Sequence, residues 1–185
     1  MSIHSWFANT TVSLARTKCR SFVSDMYGKH KKTREHAVFV ELCNEAVPDL
    51  DISHDLRMRC IGWDQKISKT ICQYIIEGEK VGTFALPWLL DQHSKQKPQI
   101  GEYIIQLDYK GSPRALVQVV SLDLVPFSKI DAEHTSLDGP PVRELEVWLE
   151  LHTKYWNGLL EPFGRVVEPN MPVIVERFRC CHPTG

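Results

Sequence analysis

The spacing of apolar positions changes near residue 80, and that change divides the chain. Residues 12–26 and 33–47 carry apolar side chains at helical spacing, the first stopped by Gly28 and the second by Pro48. In the second helix Val38, Phe39, Leu42 and Ala46 fall on one face. A polar, acidic connector over residues 49–55 is the natural boundary. A third helix is predicted over 64–77, with Ile67, Ile71, Tyr74 and Ile75 as its buried stripe and Gly78 as its stop.

Beyond Gly78 the period shortens to two. Residues 83–86 read as a short strand, and 103–107 with 115–120 as a hairpin around the turn at 108–113. The second hairpin strand runs on through 121–125 and ends at Pro126. A turn-rich loop over 131–141 leads to a helix over 142–160. The last strand, 172–180, sets Val173, Val175 and Phe178 against polar neighbours and slips once near Arg177, as a bulge would make it do. Helices, then hairpin strands, one helix and a closing strand imply an α+β fold with a small mixed or antiparallel, barrel-like sheet.

Composition narrows this further. A chain of 185 residues can bury a real core in one domain with an extension, here residues 61–185 behind a helical, basic extension at 1–60. The least polar stretch, residues 81–90, is half the span a membrane helix needs and contains Gly82 and Pro87. The net charge is −1, yet residues 1–40 hold seven Lys/Arg (Arg16, Lys18, Arg20, Lys29, Lys31, Lys32 and Arg34) against two acids, Asp25 and Glu35. A basic arm on an acidic body can hold phosphate by counterion release; the plainer reading is a solvated helix surface. The first 24 residues faintly resemble a transit peptide but lack the apolar core of a secretory signal, so an intracellular, cytoplasmic protein is expected. Six cysteines without a CxxC spacing then read as reduced structural thiols.

Several chemistries are struck off by their motifs. Gly78-Glu79-Lys80-Val81-Gly82-Thr83 has the residue types of a phosphate-binding loop in the wrong order. There is no HExxH, EF-hand loop or GxSxG elbow, and the eight histidines show no metal-ligand spacing, so neither metal nor cofactor is expected. His152, four residues from both Trp148 and Trp156, reads as a packed, hydrogen-bonded core histidine.

Five ordered elements over residues 64–181 resemble the ASCH domain, a branch of the PUA-like barrels. They are Ile75-Ile76-Glu77-Gly78-Glu79-Lys80-Val81-Gly82-Thr83; Pro98-Gln99-Ile100-Gly101-Glu102; the hairpin with Val125-Pro126-Phe127; Trp148-Leu149-Glu150-Leu151-His152-Thr153-Lys154-Tyr155-Trp156; and Met171-Pro172-Val173-Ile174-Val175-Glu176-Arg177-Phe178. The resemblance implies a PUA-like small mixed β-barrel with flanking helices. It also implies RNA or a nucleoside-type ligand as partner, and membership in a family whose members include ribonucleases and amidohydrolases of acetylated cytidine. In the amidohydrolase type a Lys, a Thr and a Glu serve catalysis. Lys80 and Thr83 match the first two, and the third position holds Asp138, one methylene shorter, before Gly139 and the stiff Pro140-Pro141.

The chemistry is coherent on its own terms. A Thr hydroxyl becomes a nucleophile when a base takes its proton, and a desolvated lysine can be that base. A carboxylate can then protonate the leaving amine. The plainer reading makes Lys80 a cap on the preceding helix and Thr83 a strand residue. Trp88 and Arg114 are the candidates to stack a base and bind phosphate. A non-catalytic RNA-binding module would use the same residues, and a protein-interaction role would use residues 1–60.

Overall fold

The computed structural model describes residues 33–47, 56–92 and 96–183. The helix expected over 12–26, most of the basic arm, the connector at 49–55 and Cys19 lie outside the described residues.

The elements are α1 (Arg34–Ala46), β1 (Arg57–Cys60), α2 (Gln65–Ile76), β2 (Gly82–Ala85), α3 (Pro87–Gln92), β3 (Tyr103–Leu107), β4 (Pro113–Pro126), α4 (Ala132–Thr135), α5 (Leu145–Leu160) and β5 (Pro172–Pro183). The strands form one curled, half-barrel sheet in the order β1-β3-β4-β5-β2, so the α+β expectation holds. Only β1 and β3 run parallel; every other pair is antiparallel.

Local signals explain the boundaries. Asp64 caps α2 by accepting a hydrogen bond from the Ile67 amide at 2.8 Å. Gly78, at φ +71°, closes it: its N–H donates to Ile75 O and the Glu79 N–H to Tyr74 O, the paired bonds of a Schellman ending. In the hairpin turn Asp108 Oδ1 accepts from the Lys110 and Ser112 amides, and Gly111 takes φ +88°.

Three apolar layers hold the sheet. α5 covers the β2–β5 side, where Trp148, Trp156 and Leu160 pack on Phe84, Val173 and Val175. α2 plugs the opposite face, with Ile75 against Ile104, Val117 and Phe178. α1 covers β1, β3 and β4 with Phe39, Val40 and Cys43. Its His36 Nε2 shares a hydrogen bond with Gly111 O of the hairpin turn at 2.9 Å.

The structure revises three sequence expectations. The buried stripe of α1 is His36, Phe39, Val40 and Cys43, while Val38 and Leu42 are exposed. Residues Arg57–Cys60, counted with the extension, form an edge strand of the sheet. The slip near Arg177 is not an inserted residue in β5. Val173 and Val175 face α5, whereas Glu176 and Phe178 face the interior of the half-barrel, so the apolar positions change side where the covering helix changes. The extra residue opposite that point is Val120 of β4, where the register shifts between Val119↔Phe178 and Ser121↔Arg177.

Candidate functional site

Lys80 follows the Schellman ending of α2 and enters β2. Its backbone N–H donates to Tyr74 O, and its Nζ, instead of capping the helix carbonyls, donates to Asp138 Oδ1. Both side chains are almost completely enclosed, 4% exposed for Lys80 and 10% for Asp138. The same carboxylate oxygen accepts from the Gly139 amide at 2.8 Å. Asp138 therefore reaches the lysine despite being a methylene shorter than the glutamate of the resemblance.

The two segments, 58 positions apart, are held by backbone. Leu137 O accepts from the Val81 and Gly82 amides, both at 2.9 Å. Gly82 is required for this approach, because a Cβ there would lie 2.6 Å from Leu137 Cβ. Arg143 ties the same segments from outside: Nε donates to Asp138 O at 2.8 Å, and Nη2 donates to Glu79 O and, at 3.0 Å, to Glu79 Oε2. No sequence motif marked Arg143. Its role depends on a turn, the 3-10 helix Pro140–Val142, whose path cannot be read from spacing.

His152 of α5 borders this pair. Its ring stacks on Trp148 at a centroid distance of 3.8 Å and an angle of 17°, with Phe84 and Trp156 edge-on. Nδ1 lies 3.0 Å from Trp148 O. Burial pushes its pKa down to about 4, opposed by the Asp138 carboxylate, with the Lys80 ammonium adding a smaller push downward. The ring is nonetheless only half-buried. His152 was expected to be packed and hydrogen-bonded, and it is both, but it also adjoins the charged pair.

Thr83 is not hydrogen-bonded to Lys80. It sits on β2 opposite Glu176 and shares that residue's face of the sheet. Its hydroxyl makes no hydrogen bond to a described residue, and the residue is half-buried. On the Glu176 face the structure assembles a second buried pair, Arg59 Nη1 to Glu176 Oε1 at 2.6 Å, with Gln106 beside it and the guanidinium 5.4 Å above the Phe178 ring.

Trp88 and Arg114 lie elsewhere. The Trp88 ring is covered by the Arg165 guanidinium at 4.6 Å and met edge-on by Phe163 at 5.1 Å. Arg114 lies on β4 near the hairpin, eight positions from the Leu122↔Glu176↔Thr83 row, roughly 26 Å of strand.

Burial raises the Cys43 and Cys72 thiols to about 12, which keeps them protonated, and raises Cys180 and Cys181 as well. None of the five described cysteines forms a disulfide. Among the described residues no cluster of three or more His, Cys, Asp or Glu side chains is placed to hold a metal ion, and no helix is long and apolar enough to cross a membrane.

The fold has known counterparts. The crystal structure of an ASCH domain from Lactobacillus crispatus superimposes with a TM-score of 0.73 at 17% identity, covering 84% of this chain and 99% of its own. A protein from Enterococcus faecalis matches with a TM-score of 0.69 at 21% identity, covering 80% of this chain and 88% of its own. At such identities the likeness shows the fold alone. No curated protein matches the chain. The sequence model of the ASCH domain matches residues 59–182, well over half the chain. The chain therefore belongs to the ASCH domain family, a PUA-like fold family associated with RNA binding.

Proposed function

We propose that the protein binds RNA or a nucleoside-type ligand against the Lys80–Asp138 pair, between the half-barrel and α5, and hydrolyses it through Lys80, Thr83 and Asp138. The observation that carries this reading is the contact between Lys80 and Asp138 in a nearly dry environment. Lys80 Nζ and Asp138 Oδ1 are in direct hydrogen-bond contact, so a proton can pass from the one to the other without a bridging water. That one shift yields an amine able to act as base and a carboxylic acid able to protonate a leaving group. The Thr83 hydroxyl, which makes no hydrogen bond to Lys80 in the structure, must then meet the amine. Thr83 Oγ1 adds to the acyl carbon while its proton passes to Lys80, Asp138 protonates the departing nitrogen, and water hydrolyses the threonyl ester. Trp88 and Arg114 contribute only to a ligand long enough to reach them, such as an RNA strand.

A screen of N4-acetylcytidine and single-stranded RNAs, with wild type beside Lys80→Ala, tests this. Turnover by the wild type that falls at least 100-fold in Lys80→Ala is expected, the size of a lost general base. Turnover surviving in Lys80→Ala would overturn the assignment. A second reading, RNA binding without chemistry, is supported by the ion pair itself, which ties the Lys80 segment to the Asp138 loop without any reaction. It predicts no turnover and an RNA affinity that falls steeply with salt.

A further inference from the structure

Beside the Lys80–Asp138 pair stands a half-buried imidazole whose two nitrogens are in unlike situations. A backbone carbonyl can only accept, so the 3.0 Å contact with Trp148 O places the ring proton on Nδ1. Nε2 is then the lone-pair nitrogen. It makes no hydrogen bond to a described residue, and it is not fully enclosed. The ring cannot swing freely, because Trp148 stacks on one face at 3.8 Å and Phe84 and Trp156 meet it edge-on at 5.7 and 5.1 Å. A neutral acceptor is thus held rigidly at a half-buried position, next to a lysine and an aspartate whose charges both reach it.

We propose that His152 is a ligand-binding residue of this site, its Nε2 accepting a hydrogen bond from an N–H or O–H group of the bound nucleoside or nucleotide. This rests on the reading that such a ligand occupies the Lys80–Asp138 site. Burial holds the imidazole neutral at physiological pH, so Nε2 selects a ligand donor and gives nothing to an acceptor such as phosphate. The selected group is therefore an amide or amine N–H of the base or a sugar hydroxyl. Trp148 and Phe84 fix the ring before binding, so little ordering entropy is lost when the bond forms.

The test compares His152→Gln with His152→Phe. A glutamine places a carbonyl oxygen near the Nε2 position, while phenylalanine keeps the stack on Trp148 and deletes the acceptor. Dissociation constants for N4-acetylcytidine, cytidine and a short single-stranded RNA are measured by NMR titration of the full chain. His152→Phe is expected to weaken binding about tenfold and His152→Gln to stay within about threefold of wild type, the effect of one hydrogen-bond acceptor lost or kept. Equal losses in both variants, or none in either, would overturn the proposal, the first pointing to ring packing and the second to no contact. In wild type, the imidazole nitrogen spectrum must show the proton on Nδ1 and a ligand-induced shift at Nε2; a proton on Nε2 would also overturn it. Failure of the site reading is separate: there Lys80→Ala keeps wild-type affinity and turnover for every ligand that binds, whatever His152 does.

Discussion

Removing the carboxylate of Asp138 should destabilise the fold far more than its place in a loop suggests. With 4% and 10% of the two side chains exposed, solvent screening does little for Lys80 once its partner is gone. Deleting one member of a buried ion pair typically costs about 3–5 kcal/mol, because an uncompensated charge stays behind. Asp138→Ala also strips the Gly139 amide of its acceptor. In Lys80→Ala, by contrast, the stranded carboxylate still receives that amide, so its loss should be the smaller of the two. A double change to apolar side chains, Lys80→Met with Asp138→Leu, removes both charges and should be less damaging than Asp138→Ala alone. Urea unfolding followed by circular dichroism reads this directly. With m near 2 kcal/mol/M, Asp138→Ala should lower the midpoint by about 1.5–2.5 M. A shift under about 0.5 M, or strictly additive single losses, would show that the pair is solvated and the reasoning wrong.

Two further outcomes follow from neighbouring groups. The folded His152 has a pKa near 4 against about 6.5 unfolded, so between those values the unfolded chain binds more protons and stability falls as pH falls. Complete loss amounts to about 3 kcal/mol, present above pH 6.5 and gone below pH 4; His152→Phe should flatten that part of the pH–stability curve, and an imidazole titrating near 6.5 by NMR would refute it. Gly82→Ala should lower Tm by roughly 3–10 °C, since its Cβ would lie 2.6 Å from Leu137 Cβ and 2.9 Å from Glu176 O and neither wall can retreat alone. An unchanged Tm would mean that the Leu137–Asp138 loop is free to move.

What could be read from the chain divides along physical lines. Helices with caps were legible: Asp64 and Gly78 mark both ends of α2 with their own hydrogen bonds. Strand β1 was not, because Arg59 points inward to Glu176 and so breaks the apolar-in, polar-out alternation that announces a strand. α3, six residues long, is too short to show a period. The apolar switch in β5 was visible, but its cause, a change of covering helix, is a tertiary fact. At the site, Lys80 and Asp138 became candidates through family resemblance, since no local rule couples positions so far apart. Arg143 and the acceptor nitrogen of His152 left no local trace at all. A histidine between two tryptophans looks the same in sequence whether its free nitrogen meets water or a carbonyl.

The half-barrel carries two buried ion pairs, and burial alone does not say which of them matters for chemistry. Replacing such a pair with apolar side chains of similar volume is often neutral or stabilising, so neither Arg59–Glu176 nor Lys80–Asp138 is explained by stability. Their surroundings differ. Arg59 is engaged by Glu176, Gln106 and the Phe178 face, and its Nη2, enclosed without a partner, faces no open surface. That pair ties β1 and β3 to β5. Lys80–Asp138 instead adjoins an imidazole whose unpaired nitrogen is not fully enclosed, and is held by a loop that Arg143 and Leu137 tie down from two sides. Polar atoms left unpaired where enclosure is incomplete, next to charges kept dry, are what a ligand can complete. By that criterion the proposed ligand site belongs on the α5 side of the sheet, and Thr83, paired with Glu176 across β2 and β5, is the proposed catalytic residue that the hydrogen bonds around Lys80 and Asp138 do not include.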